Sequence, residues 1–318
     1  MKILLVGKIA SVTHWLEDCA AAWRADGHSV RIAVTRNPAI HIALESLMLS
    51  QSLGAPMARR IAAIAQEYLP DVILVIGAYH APPVVLQHLA AARLRPPILG
   101  WVGDMFTPEA AQSAQWLDAV FYTDRGLLAR HEALGVATPG RYLPHAANPH
   151  AAGPPLRARR PRMVFIANPT NHRRAIVEGL SEPIVLHGPG WPASLADRHE
   201  VHAGRVTPAT VHRLYGAHLA ALNVHNELNV LTGLNQRNFE PYVTQTPVVA
   251  EQQEDLEACF EPGREVLVYR DVEELNEIHR RILALPDEAA RIGRAGRARV
   301  LADHTYSQRL REMTALVR

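Results

Sequence analysis

The stretch Lys2-Ile-Leu-Leu-Val-Gly7 is a short apolar run that ends in glycine. Such a run is typical of a strand that is buried on both faces, as in the parallel sheets of α/β domains. Further short apolar runs follow it, separated by segments with helical spacing. The predicted strands are 2–7, 30–34, 71–76, 97–101, 118–122 and 141–143, and the predicted helices are 13–26, 56–69, 83–93, 108–116 and 125–134. This alternation predicts crossover units and an open, doubly wound parallel sheet.

A second alternation of predicted strands and helices begins with the strand Arg162-Met-Val-Phe-Ile-Ala167. The segment before it, Pro144–Pro161, is rich in turn formers and has no periodic pattern, so we predict that it links two domains. Further strands are predicted at 183–187, 219–224, 246–250 and 265–269, and closing helices at 271–285, 287–302 and 305–317. We therefore predict domains at 1–150 and 151–318, with a ligand cleft at the carboxyl ends of their sheets.

The composition excludes several classes of protein. With 48% hydrophobic and 20% charged residues, the chain of 318 residues is typical of globular proteins rather than disordered or fibrous ones. Its 33 basic and 31 acidic residues leave no marked basic excess, so nucleic acid is not an expected partner.

The two cysteines, Cys19 and Cys259, are too far apart to indicate a disulfide framework or a structural zinc site. No apolar run reaches the roughly 18 residues of a membrane span, and the N-terminal run is too short for a secretion signal, which predicts a cytoplasmic protein with no integral membrane segment.

Two common nucleotide motifs and one metal motif are missing. Neither predicted first strand is followed by G-x-G-x-x-G, and no Walker loop occurs, which argues against dinucleotide oxidoreductases and P-loop NTPases. His199-Glu-Val-His202 is one residue short of H-E-x-x-H and lies near a predicted turn. The sequence therefore predicts neither a metal ion nor a cofactor.

The most informative segment runs from Leu222 to Ala250. It predicts a buried strand, an irregular loop, a helix that begins at about 235–238, and a second short strand. Backbone N–H groups at a helix start suit a phosphate, and Arg237 beside them adds a bidentate donor. Glu240, about one turn further, is placed to accept hydrogen bonds from ribose hydroxyls. The alternative is that Asn235 is an ordinary N-cap and that Arg237 and Glu240 are solvated.

Three blocks of this C-terminal half resemble the CgeB-type glycosyltransferases, which are related to glycosyltransferase group 1. Asn235-Gln-Arg-Asn-Phe-Glu240 matches N-x-R-x-F-E, Phe260-Glu-Pro-Gly-Arg-Glu265 matches F-x-P-G-x-E, and His304-Thr-Tyr306 matches a terminal H-T-Y. The run from Glu240 to Ala250 is also similar to the E-A-x-A-x-G-T-P-V-V-A pattern of retaining GT-B glycosyltransferases. In that pattern the glutamate binds the nucleotide ribose, which implies this role for Glu240. The nucleotide-binding candidates in this segment are Asn235, Gln236, Arg237 and Glu240.

The resemblance implies the GT-B fold: two facing Rossmann-like domains with parallel sheets, a C-terminal helical tail, and the donor nucleotide held mainly by the second domain. It implies metal-independent transfer of a sugar from a nucleotide-diphosphate sugar to a glycan or protein acceptor. Two positions depart from the pattern. Thr232 stands where retaining relatives often have a second glutamate, and Gln245 replaces the glycine before T-P. The donor sugar and the stereochemical course therefore stay open.

Two further candidates follow strands of the second domain. Arg173 and Arg174 open a predicted helix after its first strand, where they are placed to neutralise a diphosphate leaving group. Arginine at a helix start opposes the helix dipole, which favours a functional reason over mere solvation. His187 ends the next strand and either shapes the nucleotide pocket or belongs to a simple turn.

The acceptor side is assigned to the first domain, where His80 and Asp104 follow predicted strands. Side chains at this end of a parallel strand are placed to act as a base or to hold a sugar hydroxyl. By its position, His80 resembles the histidine that retaining relatives use near the donor sugar. Asp104 is the better proton acceptor for an inverting reaction. Either residue could instead cap the helix that follows it.

Two other functions stay open at this point. A nucleotide-sugar epimerase can share the two-domain architecture and needs no acceptor. A non-catalytic nucleotide-sugar-binding module is favoured by the missing acidic residue at Thr232.

Overall fold

The computed structural model describes residues 1–8, 14–36, 54–93, 95–151 and 158–316, without the side chains of residues 208 and 209. Contacts between Cα atoms divide the chain into two compact units. The first comprises Met1–Pro144 together with the C-terminal segment from Tyr306, and the second comprises His145–Thr305.

The first unit contains a six-stranded, entirely parallel sheet with the strand order β2-β1-β3-β4-β5-β6. Its strands are β1 Lys2–Lys8, β2 Ser29–Arg36, β3 Val72–Ile76, β4 Ile98–Val102, β5 Ala119–Tyr122 and β6 Gly140–Tyr142. Ile3 through Val6 are completely buried because helices cover both faces of β1. This double burial explains why the central strands are continuous apolar runs rather than alternating ones.

The helices of the first unit lie close to their predicted positions. They are α1 Trp15–Ala25, α2 Gly54–Tyr68, α3 Pro83–Ala90, α4 Pro108–Ala111 and α5 Arg125–Ala133, with 3₁₀ turns at Ala78–His80 and Gln112–Trp116. Asp124 caps α5, because its carboxylate accepts a hydrogen bond of 3.2 Å from the Leu127 N–H. The helix predicted over 108–116 is one α-helical turn, α4, that continues as the 3₁₀ turn Gln112–Trp116.

The second unit repeats this design with the strand order β12-β11-β10-β7-β8-β9, again entirely parallel. Its strands are β7 Arg160–Ile166, β8 Val185–His187, β9 Glu200–His202, β10 His218–Asn223, β11 Val248–Glu251 and β12 Leu267–Tyr269. Its helices are α6 Asn171–Glu178, α7 Pro208–Ala217, α8 Leu256–Cys259, α9 Val272–Ala284 and α10 Pro286–Asp303, with 3₁₀ turns at Ala193–Asp197, Gln236–Asn238 and Glu240–Thr244. Two parallel six-stranded sheets with helices confirm the predicted α/β fold class.

The last helix, α11 Tyr306–Ala315, belongs to the first unit rather than the second. Trp23 of α1 donates a hydrogen bond of 2.8 Å from its indole nitrogen to the Tyr306 carbonyl. The buried Arg309 donates from Nε to the Pro144 carbonyl at 2.8 Å. This placement differs from the predicted division, which left residues 305–318 in the second domain. Helical periodicity predicts that a segment forms a helix, but it does not indicate which sheet the helix covers.

The boundary between the units falls at residues 144 and 145, where the predicted linker begins. Ala147 forms an isolated parallel bridge with Thr305, so the start of this segment is tied to the second unit. Residues 152–157 of the predicted linker lie outside the described residues. Within the described residues, no helix combines the length and the apolar character that crossing a membrane requires.

Candidate functional site

In the second unit, β7, β10 and β11 are neighbouring strands of the sheet, so their carboxyl ends lie side by side. Register places Asn223, the last residue of β10, opposite Ala250 of β11. The segments that leave these strands carry most of the predicted donor-binding residues. This end of a parallel sheet is where open α/β proteins bind ligands.

A chain of side-chain amides fixes the first of these segments. Nδ2 of the buried Asn223 donates to Oδ1 of Asn238 at 2.7 Å, and Nδ2 of Asn235 donates to Oδ1 of Asn223 at 3.2 Å. Asn235 also caps the turn, because its Oδ1 accepts a hydrogen bond of 2.9 Å from the Arg237 N–H. The strand end and the turn at 235–238 are therefore held together as one unit, with Gln236 buried inside it.

The helix predicted to begin at 235–238 does not form as an α-helix. Its place is taken by the two 3₁₀ turns at 236–238 and 240–244, separated by Phe239. Pro241 provides no N–H for an α-helical hydrogen bond and restricts the backbone before it, and Gln245 ends the second turn in the left-handed region at φ +58°. Such short turns have no substantial macrodipole, so the helix-dipole argument for phosphate binding is wrong here. Any anion binding at this place depends on side chains.

Two arginine side chains reach this end of the sheet. Arg237 donates from Nε to the carbonyl of Ile166, the last residue of β7, at 2.7 Å. Arg173 of α6 donates from Nε to the Val224 carbonyl at 3.2 Å and from a terminal nitrogen to the Asn168 carbonyl at 3.0 Å. Both guanidinium groups are therefore anchored to backbone carbonyls at the ends of β7 and β10.

The environment of Arg173 is unfavourable for a positive charge. Its side chain is only 4% exposed. Burial, followed by the positive charge of Arg237, lowers the pKa of Arg173 to about 9, and the nearby carboxylates of Glu227 and Glu251 offset this effect only in part. A buried guanidinium group with a second cation close by forms a site that an anion would stabilise.

Arg174, the next residue, does not join this pair. Its side chain is 47% exposed and forms an ion pair of 3.3 Å with Glu178 one turn along α6. Consecutive helical residues project about 100° apart, so only one of two adjacent arginines can face the sheet end. This geometry assigns Arg174 to the solvated face of α6 instead of the predicted diphosphate site.

Glu240 begins the second 3₁₀ turn and is 7% exposed. Burial, and then the negative charge of Glu240, raises the pKa of the Tyr215 phenol, whereas the positive charge of Arg237 lowers it. Glu240 and Arg237 therefore both lie within electrostatic reach of Tyr215. Glu240 is therefore buried and is not a solvated helix residue, while its role in binding the ribose stays a prediction.

His187 ends β8, the strand on the other side of β7. Its ring stacks on His202 with the centroids 4.4 Å apart. Burial, and then the neighbouring positive charges, lowers the pKa of His187 to about 4. The chain turns sharply after it at Gly188 (φ +140°), where a Cβ would lie 2.3 Å from the Ala167 carbonyl oxygen. The loop after β8 therefore packs directly on the end of β7, next to the segment that leads to Arg173.

One cluster at this end of the sheet was not predicted. Nε2 of His172 lies 2.7 Å from Oε1 of Glu251, and Nδ1 of His225 lies in hydrogen-bond contact with Oε2 of the same carboxylate. Burial raises the pKa of Glu251, but the hydrogen bonds and charges of His225 and His172 outweigh it and lower that pKa overall. Among the described residues, these three form the one group of at least three potential ligands with metal-binding proximity.

The sequence contained a weak signal for this cluster. His172, His225 and Glu251 lie far apart in the chain, so no motif connects them. Each nevertheless comes at or just after the end of a predicted strand, and the carboxyl ends of parallel strands share one end of the sheet. Their proximity depends on the strand order β11-β10-β7, which the apolar runs alone do not determine.

In the first unit, His80 and Asp104 form a pair. His80 lies in the 3₁₀ turn after β3, Asp104 follows the neighbouring strand β4, and His80 Nε2 is 3.2 Å from Asp104 Oδ2. Both side chains are partly exposed. Neither caps the next helix, because Pro82 precedes α3 and the cap of α4 is Thr107, whose hydroxyl accepts from Ala110 N–H at 3.2 Å. An accessible imidazole–carboxylate pair is able to accept a proton from a hydroxyl group.

Comparisons with known proteins agree with this architecture. Residues 165–315 match the protein-family model described as "Glycosyl transferase-like". A comparison with curated protein sequences found no match. Among solved structures, Anabaena HepE in complex with UDP and glucose is similar with a TM-score of 0.71 and 14% identity, over 100% of this chain and 99% of that one.

Two other solved structures resemble the whole chain. Sucrose-phosphate synthase from Thermosynechococcus elongatus has a TM-score of 0.68 and 14% identity, over 100% of this chain and 98% of that one. UDP-GlcNAc 2-epimerase from Neisseria meningitidis, bound to UDP-GlcNAc, has a TM-score of 0.59 and 11% identity, over 99% and 100%. The chain therefore has the GT-B fold, and the family match covers most of its second unit and the last helix.

Proposed function

We propose that this protein is a glycosyltransferase that moves a sugar, of the hexosyl type, from a nucleotide-diphosphate sugar to a glycan or protein acceptor. The observation that carries the proposal is the pair of anchored guanidinium groups, Arg173 and Arg237, together with the buried Glu240 three residues after Arg237. The family match over residues 165–315 supports sugar transfer, as does the fold shared with a protein solved with UDP and glucose. The resemblance to CgeB-type enzymes narrows the proposal to that group.

The donor half of the reaction is assigned to the second unit. Arg173 and Arg237 bind the diphosphate and stabilise the negative charge that develops on it as the bond to the sugar breaks. Glu240 accepts hydrogen bonds from the ribose hydroxyls, and Asn235 and Gln236 shape the turn that holds Arg237 in place. Since two guanidinium groups supply this stabilisation, we propose that transfer does not require a metal ion.

The acceptor half is assigned to the first unit. Asp104 accepts the proton of the attacking hydroxyl, and His80, 3.2 Å away, orients its carboxylate. In a retaining course, His80 would instead contact the donor sugar. We expect the reaction to take place in the cytoplasm, with no nucleic acid involved.

The first test is thermal unfolding in the presence of UDP, GDP, TDP, ADP and CMP. A ligand present at 100 times its Kd stabilises the folded state by about 2.7 kcal/mol, which gives a measurable rise in Tm. One of the diphosphates should produce that rise, and the corresponding nucleotide sugar should then be consumed when candidate acceptors are added. If none of the nucleotides shifts Tm, the proposal fails.

An epimerase is the second candidate, because UDP-GlcNAc 2-epimerase shares the fold. It is distinguished by incubating the nucleotide sugar without acceptor and looking for an epimerised product. Tight nucleotide binding with neither transfer nor epimerisation would favour the binding module.

A further inference from the structure

The cluster of His172, His225 and Glu251 has the composition of a metal site. The three residues come from the start of α6, the segment after β10 and the end of β11, so they join three separate parts of the second unit. Their ligand atoms all lie within 4.8 Å of one another. Around a tetrahedral ion with bonds of about 2.0–2.1 Å, ligand atoms lie roughly 3.3 Å apart, which small side-chain rotations reach from this arrangement.

One ring nitrogen of His225 has two polar neighbours. Its Nδ1 touches the carboxylate oxygen Oε2 of Glu251 and also lies 3.0 Å from the side-chain amide nitrogen of Gln253. Contact with the carboxylate requires a proton or a cation on Nδ1. A cation bound to both Nδ1 and the carboxylate would satisfy this contact. The side-chain amide of Gln253 would then be an outer neighbour of the cluster.

The surrounding charges also permit a divalent cation. Glu227 lies next to the cluster, where it accepts a hydrogen bond of 3.0 Å from the Thr170 hydroxyl and interacts electrostatically with His172. Glu227 and Glu251 together provide two negative charges, and Arg173 provides one positive charge whose Nε is bound to the Val224 carbonyl. Arg237 adds a second positive charge beside Arg173, so a cation is favoured only next to the two carboxylates, both of which interact electrostatically with His172.

We propose that His172 Nε2, His225 Nδ1 and the Glu251 carboxylate bind a divalent first-row transition-metal ion, for which Zn²⁺ is the natural choice. Imidazole and carboxylate ligands suit this class of ion, whereas Mg²⁺ and Ca²⁺ prefer sites made of oxygen atoms. The ion would tie α6 to the ends of β10 and β11 and stabilise the folded second unit. It has no part in the transfer chemistry assigned to Arg173 and Arg237, so this inference does not rest on the proposed function.

The test measures Zn²⁺ binding to the full chain without an affinity tag, by calorimetry and by the rise in Tm. Seventeen histidines offer weak surface sites, so the stoichiometry matters. We expect one tight site per chain, no effect of Mg²⁺ at the same concentration, and visible absorption bands when Co²⁺ replaces Zn²⁺. His172→Ala, His225→Ala and Glu251→Gln should each weaken Zn²⁺ binding at least about tenfold, the effect that loss of even an outer neighbour commonly has.

The matched control is His202→Ala. His202 is also a histidine of the second unit in contact with a carboxylate, 2.9 Å from Glu200, but it lies outside the cluster. Its variant should bind Zn²⁺ like the wild type. Glu251→Gln keeps the shape of the side chain, and circular dichroism checks that each variant folds. A wild-type chain without stoichiometric Zn²⁺ binding, or cluster variants that bind it as tightly as His202→Ala, would overturn the proposal.

Discussion

The positive charge of Arg237 lies close enough to Arg173 to lower its pKa, although both side chains are fixed by hydrogen bonds to the backbone. Burying one guanidinium group next to another lowers the stability of the fold. A ligand that binds both groups would explain why both are present. A diphosphate is such a ligand, because its two negative charges match the two cations and the planar guanidinium groups suit phosphate oxygens. The following predictions separate this interpretation from a purely structural role.

Arg237→Ala should weaken binding of the nucleoside diphosphate by about one to two decades, because a hydrogen bond to a charged group contributes roughly 1.5–3 kcal/mol. Binding of the matching nucleoside, which carries no phosphate, should stay nearly unchanged. Calorimetry with both ligands measures the difference. Arg174→Ala is the control, since Arg174 pairs with Glu178 on the surface of α6. An equal loss of affinity in the two variants would contradict a specific role for Arg237.

Glu240→Gln should weaken nucleotide binding by a similar factor, because the variant keeps the size of the side chain but loses the charge that strengthens hydrogen bonds from ribose hydroxyls. The decisive measurement is a double-mutant cycle with the 2′-deoxy and 3′-deoxy nucleotides. If Glu240 binds the ribose, removing one of these hydroxyls should cost the variant much less affinity than the wild type. Additive losses for both hydroxyls would indicate that Glu240 acts only through the fold.

The positions of strands were largely predictable because both sheets are buried on two faces. Continuous apolar runs such as Ile3–Val6 leave little choice of structure. β9, α7 and the single-turn helix α8 were not predicted. β9 is an edge strand of three residues, and α7 begins at a proline and contains the β-branched Thr210 and Val211, which are poor helix formers. The docking of α11 on the first unit depends on tertiary contacts at Trp23 and Pro144 that no local pattern contains.

The part of the candidate site at 235–240 was predictable because its residues are close in sequence. Asn235, Arg237 and Glu240 fall in one six-residue block, so a single pattern covers them. The pattern nevertheless predicted an α-helix, which the proline at 241 and the left-handed Gln245 replace with 3₁₀ turns. The contact between Glu251 and His225 was not predicted, because it requires the strand pairing of β10 with β11.

Asp104→Asn should lower kcat by roughly 10²–10⁴, the usual contribution of a general base, while nucleotide affinity stays unchanged. The substitution preserves the shape of the side chain and removes its basicity. His80→Ala should reduce kcat less if His80 only orients Asp104. Near-normal turnover in Asp104→Asn combined with collapse in His80→Ala would overturn the base assignment and favour a retaining course. Anomeric analysis of the product by NMR decides the stereochemistry independently.

Sugar transfer should continue after exhaustive treatment with EDTA, because we assign stabilisation of the leaving diphosphate to Arg173 and Arg237 instead of a metal ion. The measurement is the initial rate of donor consumption before and after chelation, with Mg²⁺ or Mn²⁺ added back. The rate should change by less than about twofold at a temperature where circular dichroism shows that the chelated chain is folded, because the proposed Zn²⁺ ion stabilises the second unit without taking part in transfer. Strict dependence on either ion would refute the metal-free mechanism.

His279 of α9 should make the protein sensitive to acid. Its side chain is completely buried, and within the described residues neither ring nitrogen has a hydrogen-bond partner. Burial, and then the positive charges of Arg162 and His199, lowers its pKa to about 4. In the unfolded chain the pKa of His279 is near 6.5. The contribution of neutral His279 to stability is therefore complete above pH 6.5 and is lost as the pH falls towards 4.

His279→Leu should flatten this dependence, because leucine fills a similar volume and has no proton to gain. The pKa of His279 is lower by about 2.5 in the folded chain than in the unfolded chain. Through this residue, the free energy of unfolding of the wild type should therefore fall by at most about 3 kcal/mol between pH 7 and pH 4. Urea unfolding at several pH values measures that loss in both proteins. His150→Gln, a histidine substitution at an exposed position, is the control. If the wild type and His279→Leu lose stability in parallel on acidification, another group is responsible.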